Sequence, residues 1–166
     1  DEDGNDVAMD EKQVGEIIVK GDTVTPGYWR LPDETEKAFS DGWLYTGDLA
    51  VMDRERYVNI VDRKKDMILT GGENVYSSEV ENVLYTHPHV LEAAVIGVPD
   101  AHWGEAVKAC VVLKEECWVA EEEIITYCRK DLAGYKTPKS VDFLKTLPKT
   151  GSGKIFKKGL REPYLK

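Results

Sequence analysis

The sequence predicts an α+β protein in which an all-β segment precedes a small domain built from a short β-hairpin, a three-stranded sheet and helices. Three observations predict this fold class. Residues 1–62 carry short strand-like stretches separated by Gly and Pro, as antiparallel strands do. Residues 93–98 are continuously apolar, which is typical of a buried central strand. Residues 120–132 place apolar side chains at helical spacing.

The first region is predicted to contain four strands and one helix. Residues 15–21 are an apolar stretch bounded by glycines, which predicts the first strand. A proline followed by two acidic residues predicts a short helix over residues 32–39, because the amino-terminal turn of a helix favours negative charge. A turn at Asp41-Gly42 follows. The remaining strands are predicted over residues 43–45, 49–52 and 57–61.

The second region mixes strands and helices. Strand-like residues 67–69 and 74–76 flank two glycines, which predicts a hairpin. Ser78 and Glu81 have the spacing of a capping box, so a helix is predicted to begin there and to end before Pro88. The later elements are strands over residues 93–98, 105–113 and 141–144, and helices over residues 120–132 and 157–162.

Composition excludes several classes of protein. The chain has 166 residues, of which 42% are hydrophobic and 32% charged, so it is neither fibrous nor wholly disordered. No apolar run approaches the ~20 residues of a membrane-spanning helix, so we expect no transmembrane segment. The acidic, polar residues 1–12 are unlike a signal peptide. Because the chain does not begin with Met, we expect it to be part of a longer protein.

The charge distribution is uneven. The net charge of −9 argues against a general nucleic-acid-binding protein. Residues 129–166, however, contain eleven basic and three acidic residues. This basic segment suits a small polyphosphate, and an ordinary solvated surface is the alternative. The five consecutive charged residues 62–66 predict a linker or hinge, or else an exposed turn.

Cysteine and histidine give no metal site. The three cysteines lack C-x-x-C spacing, and Cys110 and Cys128 fall on apolar stretches, so we expect both in the core and the protein in a reducing compartment, the cytoplasm. His87 and His89 flank a proline and have no evident third ligand. We therefore expect both histidines at the surface and no bound metal.

Three short motifs have ligand-binding chemistry, although each is also compatible with a simple turn. Residues 46–48, T-G-D, present a carboxylate that can accept hydrogen bonds from vicinal hydroxyls. Residues 150–154, T-G-S-G-K, form a flexible loop with one lysine, but they lack the full phosphate-loop pattern. Residues 70–74, T-G-G-E-N, contain paired glycines that allow close approach of a ligand to the backbone.

Taken in order, the segments W-L-Y-T-G-D-L, V-D-R-K-K-D-M-I-L-T-G-G-E-N-V-Y, E-V-E and P-K-T-G-S-G-K-I resemble the C-terminal part of the adenylate-forming superfamily. That superfamily includes acyl-CoA synthetases, luciferase and the adenylation domains of peptide synthetases. The resemblance is greatest to fatty-acyl or aryl acyl-CoA ligases. It implies that residues 1–64 end a large N-terminal domain and that residues 65–166 form a C-terminal lid, with the hinge at Lys65.

The resemblance also implies residue roles for ATP. Asp48 and Arg63 match the positions that bind the ribose. Lys154 matches the catalytic lysine that contacts the acyl carboxylate and the α-phosphate during adenylation. A fixed cation at that place offsets the repulsion between carboxylate and phosphate.

For CoA, the resemblance implies a second set of residues. The positions that match CoA-binding segments of the family are Gly71, Gly72, Glu73, Trp103, Lys136 and Lys139. Trp103 departs from relatives that carry arginine there, so we expect its contact to be stacking. These assignments depend on surfaces that vary among members of the superfamily.

The implied activity is that of an ATP-dependent acyl-CoA ligase, with a fatty acid as the expected substrate. ATP with Mg²⁺ and CoA would be substrates, Mg²⁺ would not be bound by this part of the protein, and the absent N-terminal domain would be its partner, so this part alone would be inactive. Two alternatives remain open: an amino-acid-activating domain that loads a carrier protein, and a non-catalytic nucleotide-binding or interaction module.

Overall fold

The computed structural model describes residues 1–165, so Lys166, the last residue of the predicted lid, lies outside the described residues. The chain divides into two compact units, the first comprising Asp1–Lys65 and the second beginning at Asp66. Helices and strands occur in both units, and the predicted α+β fold class is confirmed. No helix within residues 1–165 has the length and apolar character needed to cross a membrane.

The first unit is a four-stranded antiparallel sheet with one short helix. Its elements are β1 (Gly15–Val19), α1 (Pro32–Ala38), β2 (Phe39–Ser40), β3 (Trp43–Met52) and β4 (Val58–Arg63). β3 is the central strand: β1 pairs along one edge, while β2 and β4 pair with opposite ends of β3. The β2–β3 turn at Asp41-Gly42 agrees with the prediction, and both of its residues have positive φ angles.

The sequence prediction of two strands on either side of the T-G-D motif is wrong, because β3 runs through it. The strand register passes from Ile18 opposite Tyr45 to Glu16 opposite Leu49, so β3 bulges between them. Gly47 supplies the left-handed conformation of this bulge, with φ of 73°. Its amide donates to the Glu16 carboxylate at 2.9 Å, which keeps the two strands together through the irregularity.

The second unit has a five-stranded sheet with helices on both faces. Its elements are β5 (Ile68–Thr70), β6 (Glu73–Val75), α2 (Ser77–Tyr85), β7 (Val90–Asp100), β8 (Gly104–Leu113), α3 (Glu121–Asp131), β9 (Ser140–Phe143), α4 (Lys157–Arg161) and a 3₁₀ turn (Glu162–Tyr164). The strand order is β6-β5-β8-β7, and β9 lies parallel to β8. The predicted hairpin and three-stranded sheet are therefore one sheet, because Thr70 pairs with Gly104.

Two separate cores lie on the two faces of this sheet. Successive residues of a strand point to opposite faces, so β7 and β8 contribute side chains to both. On one face, Val95 and Val107 pack with Ile124 of α3 and with residues of α2. On the other face, Ile96 packs with Leu160 of α4. The long apolar runs of β7 and β8 follow from this double burial.

The two cysteines predicted to be in the core are there. Cys110 and Cys128 are both buried and free. Burial raises the pKa of each thiol to about 11, because the apolar surroundings disfavour the thiolate. Both thiols are therefore protonated at neutral pH and behave as small apolar side chains.

The helix α2 does not begin at the predicted capping-box residue Ser78. α2 begins at Ser77 with Tyr76 as its N-cap, so Ser78 already lies inside the helix. The Glu81 carboxylate accepts a hydrogen bond from the Val95 amide at 2.7 Å. Glu81 therefore joins α2 to the sheet.

The expectation that His87 is at the surface is also wrong. His87 is only 4% exposed, and its ring packs edge-on against Tyr127 of α3 with ring centroids 4.6 Å apart. The His89 amide donates to His87 Nδ1 at 3.2 Å, which favours the neutral form of the ring. Burial lowers the pKa of His87, and the neighbouring His89 lowers it further.

We expect this histidine to make the stability of the chain pH-dependent. An unfolded histidine takes up its proton near pH 6.5, whereas folded His87 does so only at lower pH. The unfolded state thus binds more protons in that interval, so the free energy of unfolding decreases as the pH falls from about 6.5 towards the lower folded pKa. Urea titrations between pH 5 and 8 should show a weaker decrease in His87→Phe.

The matched control for this prediction is His102→Phe, since His102 is exposed. Its pH dependence should follow that of the unmodified chain. A His87→Phe variant with an unchanged pH slope would contradict the prediction.

Candidate active-site segments

Asp48 and Arg63 face each other on adjacent strands of the first unit. They are direct partners in the β3–β4 register, and Arg63 Nε donates to Asp48 Oδ1 at 2.6 Å. The Arg63 side chain is 52% exposed and that of Asp48 is 26% exposed. An ion pair this exposed contributes only about 0–1 kcal/mol to stability. Its consequence is geometric, since it holds a carboxylate and a guanidinium side by side on one face of the sheet.

Glu16 organises the backbone beside this pair, and the sequence analysis missed it. One carboxylate oxygen accepts the Gly47 amide, and the other binds Lys64 Nζ at 2.8 Å. Lys64 also donates its amide to the Gly47 carbonyl at 2.8 Å. The charged run 62–66 is therefore partly ordered: Asp62 and Arg63 belong to β4, and Lys65 is the last residue of the first unit.

The paired glycines form the tight turn between β5 and β6. Gly71 and Gly72 have φ angles of 59° and 85°, which side-chain-bearing residues rarely adopt. The Gly71 amide donates to the Trp103 carbonyl at 2.8 Å. A Cβ atom on Gly71 would lie 2.8 Å from Cε3 of the Trp103 ring. The half-exposed indole thus covers Gly71, and the structure brings Gly71, Gly72 and Trp103 together, with Glu73 following in β6.

The loop that carries Trp103 is ordered by Asp100. One carboxylate oxygen of Asp100 accepts the amides of His102 and Trp103, each at 2.9 Å. These two hydrogen bonds lower the pKa of Asp100, because they favour its charged form. The ring of His102 packs edge-on against Trp103 at 4.4 Å between centroids. The indole is therefore held by its own loop as well as by Gly71.

Lys136 and Lys139 lie on the connection between α3 and β9, and their surroundings differ. Lys136 Nζ binds both carboxylate oxygens of Glu79, at 2.7 and 2.8 Å. Burial alone lowers the pKa of Lys136, but the hydrogen bond and charge of Glu79 outweigh it and the pKa is raised. Lys139 Nζ donates to the Gly134 carbonyl at 3.1 Å and is more exposed. The geometry thus gives Lys136 a carboxylate partner that the sequence analysis did not anticipate.

The loop with Lys154 forms a hydrogen-bonded turn. The Thr150 amide donates to the Lys154 carbonyl at 2.8 Å, and the Gly153 amide donates to the Thr150 carbonyl at 2.9 Å. Lys149 and Ile155 form a β-bridge at its base. Lys154 itself is exposed at this turn. The backbone therefore presents the lysine from a closed hairpin-like structure.

Three ion pairs connect the C-terminal segment, residues 149–161, to the rest of the second unit. Each pair joins a basic residue of the segment to a carboxylate elsewhere in the unit. The pairs are Lys149 with Glu92 at 2.5 Å, Lys157 with Glu81 at 2.7 Å, and Arg161 with Asp66 at 2.9 Å. Lys157 Nζ also donates to the hydroxyl of buried Ser77 at 2.7 Å. In the sequence, the four-residue spacing of Lys157 and Arg161 could have indicated these contacts, because it places both basic side chains on the same face of a helix.

Residues 79–154 match the model of the AMP-binding enzyme C-terminal domain. Residues 79–154 thus correspond to the C-terminal domain of AMP-binding enzymes. Over 162 residues it is 51% identical to a long-chain-fatty-acid–CoA ligase of Escherichia coli O6:H1, covering 98% of this chain and 28% of the relative. It is 49% identical over 161 residues to a feruloyl-CoA synthase of an Amycolatopsis species, covering 97% of this chain and 32% of that protein.

Solved structures of adenylate-forming enzymes have the same fold. ATP-bound MatB from Rhodopseudomonas palustris superposes with a TM-score of 0.85 at 42% identity, covering 93% of this chain and 31% of that one. The chain thus spans about three-tenths of the length of the proteins it matches.

Within residues 1–165, no three His, Cys, Asp or Glu side chains are grouped to hold a metal ion.

We predict that the Lys157–Glu81 pair stabilises the C-terminal segment. The side chains are 14% and 17% exposed, so removing Lys157 leaves a nearly buried carboxylate with one partner fewer. Lys157→Ala should lower the free energy of unfolding by about 2–3 kcal/mol in urea denaturation. The neighbouring exposed Lys158 is the control, and Lys158→Ala should change it by less than about 0.5 kcal/mol. Equal losses in both variants would refute the assignment.

Proposed function

We propose that the longer protein to which this chain belongs is an ATP-dependent acyl-CoA ligase that acts on a fatty acid. The observation that carries the proposal is the match of about 50% identity along nearly the whole chain to ligases named for long-chain fatty acids. An aryl acid is the alternative substrate, because a feruloyl-CoA synthase matches the chain at similar identity. Because the whole-chain relatives are named as CoA ligases, we favour CoA as acceptor over a carrier protein.

The proposed reaction has two steps. A carboxylate oxygen of the acid attacks the α-phosphorus of ATP, the bond to the β-phosphate oxygen breaks, and pyrophosphate leaves. The thiolate of CoA then attacks the acyl carbon of the adenylate, and AMP leaves. Mg²⁺ accompanies ATP as part of the nucleotide substrate, and we assign none of its ligands to residues of this chain. The enzyme would act in the cytoplasm, where thiols such as Cys110 stay reduced.

We assign residues 1–64 to the end of the large adenylating domain, residues 65–166 to the lid, and the hinge to Lys65. Asp48 and Arg63 would bind the ribose hydroxyls of ATP. Their direct pairing at 2.6 Å supports this, because it presents acceptor and donor groups together on one face of the sheet. In this scheme Glu16 fixes the bulge from which Asp48 projects.

Lys154 would be the catalytic residue of the adenylation step. When a carboxylate approaches the α-phosphate, two anions meet, and a fixed ammonium group lowers the energy of that arrangement. The ordered turn supports this role, because a cation that is already positioned needs no reorganisation during the reaction. The ion pairs of Lys149, Lys157 and Arg161 supply the rigidity.

The CoA-binding surface would consist of the glycine turn, Trp103 and the two lysines. Gly71, Gly72 and Glu73 would border the pantetheine chain, with the exposed Trp103 indole as an apolar wall. Lys139 would bind a phosphate of CoA. Lys136 would have to break its ion pair with Glu79 to bind such a phosphate, so its contribution to CoA binding should be smaller than that of Lys139.

We predict that Lys154→Ala in the full-length enzyme affects the two half-reactions unequally. Acid-dependent ATP–pyrophosphate exchange should fall about 10²–10³-fold, because a fixed charge contact to the transition state is lost. Formation of the thioester from a supplied acyl-adenylate should change less than about tenfold. Lys158→Ala is the control and should leave both rates near those of the unmodified enzyme. Equal losses in both half-reactions would show that Lys154 does not act through its charge in adenylation.

A second prediction tests the hinge. Proline fixes φ near −65° and constrains the preceding residue, so Lys65→Pro should restrict the lid to one orientation. One half-reaction should then fall at least about tenfold relative to the other, while the melting temperature stays close to the original. Lys65→Ala keeps backbone freedom and should retain the balance between the half-reactions. If Lys65→Pro changes both rates alike, the hinge lies elsewhere.

A further inference from the structure

The β5–β6 hairpin, which bears the glycine turn, is anchored in the core by Ile68 and Val75, but its backbone pairs with the main sheet at few positions. The register between β5 and β8 runs through one pair, Thr70 and Gly104. On one side of this pair, the Gly71 amide donates to the Trp103 carbonyl at 2.8 Å. The position of the turn relative to the rest of the second unit therefore depends on what holds β5 on the other side of the pair.

On the other side of the Thr70–Gly104 pair, β5 is held by Glu105. Its Oε2 atom accepts a hydrogen bond from the Leu69 amide at 2.9 Å. Leu69, Thr70 and Gly71 are thus joined in order to Glu105, Gly104 and Trp103. The glutamate side chain takes the place of the backbone carbonyl that would continue an ordinary antiparallel ladder. A charged acceptor makes this bond stronger than a neutral one.

Gly97 makes room for the Glu105 carboxylate. A Cβ atom on Gly97 would lie 2.8 Å from Glu105 Oε1 and 2.9 Å from its carboxyl carbon. Gly97 lies within β7 and lacks a positive φ angle, so its backbone would accept a side chain, and the closest conflict would be with the Glu105 carboxylate in its present position. The carboxylate is consequently seated over β7 while it binds the amide of β5. A side chain at Gly97 would push it away from Leu69.

We propose that Glu105, seated on Gly97, is a positioning residue that fixes the glycine turn and Trp103 for the CoA-dependent step. This inference rests on the proposed function, because it takes CoA as the ligand of that surface. Glu105 acts through the β5 amide and does not itself contact the reacting atoms. Losing its hydrogen bond leaves Thr70 and Gly71 as the remaining contacts of the turn with the β8 side of the sheet, while Ile68 and Val75 still anchor the far end of the hairpin in the core, so the wall formed by Trp103 is less precisely set relative to the turn.

The test measures both half-reactions of the full-length enzyme with hexadecanoate, ATP and CoA. Glu105→Ala should raise the KM for CoA about tenfold or more, because small misplacements of a positioned surface have large kinetic effects. ATP–pyrophosphate exchange should stay within about twofold. Glu105→Gln keeps an oxygen that can accept the Leu69 amide, so its KM for CoA should stay within about threefold of the original. Glu122→Ala, a change at an exposed glutamate of α3, is the control and should alter neither step.

Gly97→Ala tests the packing of the Glu105 side chain over β7 without changing the carboxylate itself. It should raise the KM for CoA as Glu105→Ala does, since its Cβ displaces the same side chain. In the double variant the displaced group is already gone, so Gly97→Ala should add less than about twofold to Glu105→Ala. This non-additivity is the signature of two residues that act through one contact.

The possible outcomes separate this inference from the proposed function. If the unmodified enzyme activates hexadecanoate but transfers it to no CoA, the proposed CoA ligase activity is wrong. If the unmodified enzyme forms the thioester but Glu105→Ala and Gly97→Ala both retain the original KM for CoA, the positioning role is wrong. Equal losses in exchange and thioester formation would also overturn it, because they would show a general structural role.

Discussion

The pairing of β7 with β8 is the constraint on which the second unit depends. The two strands pair from Val90 opposite Leu113 to Asp100 opposite Gly104, with one register shift between Val90 and Glu92, and both faces of this ribbon are largely apolar. Neither face tolerates water, since fully burying one large aliphatic side chain contributes about 1.5–3 kcal/mol. Helices α2 and α3 cover one face. The C-terminal segment must cover the other, so the turn bearing Lys154 is part of a second layer of the fold rather than a tail.

Polar contacts give that second layer a unique position. Apolar side chains alone accept many arrangements, whereas buried or half-buried ion pairs accept few. On the α4 face, Lys108 binds Asp142 at 2.7 Å and the Tyr164 hydroxyl donates to the same carboxylate. The hydrogen bond to Asp142 raises the pKa of Tyr164 to about 12, so the phenol remains a donor over the physiological range. Asp142 thereby locks the 3₁₀ turn that follows α4 onto the sheet.

In both units, a glutamate side chain accepts a hydrogen bond from a backbone amide where the pairing between strands is interrupted. Glu16 accepts the Gly47 amide where β3 bulges, and Glu105 accepts the Leu69 amide where the β5–β8 ladder ends. Each site is next to a segment to which we assign a ligand. Irregular backbone leaves donors that must be satisfied, and a carboxylate satisfies them while leaving the strand free to bend. A functional bulge or turn can in this way be held as firmly as a regular strand.

The sequence by itself determined the order of the helices and strands in the second unit, the burial of Cys110 and the resemblance to the adenylate-forming superfamily. These properties follow from local periodicity, turn residues and motif order. Only the tertiary structure decided that β3 continues through T-G-D, that His87 is buried and that the Lys154 turn is closed. The first two outcomes depend on a partner distant in the chain, Glu16 for Gly47 and Tyr127 for His87, whereas the Lys154 turn is closed by backbone hydrogen bonds within residues 149–155. Local patterns carry no information about which distant side chain will fold against a given residue.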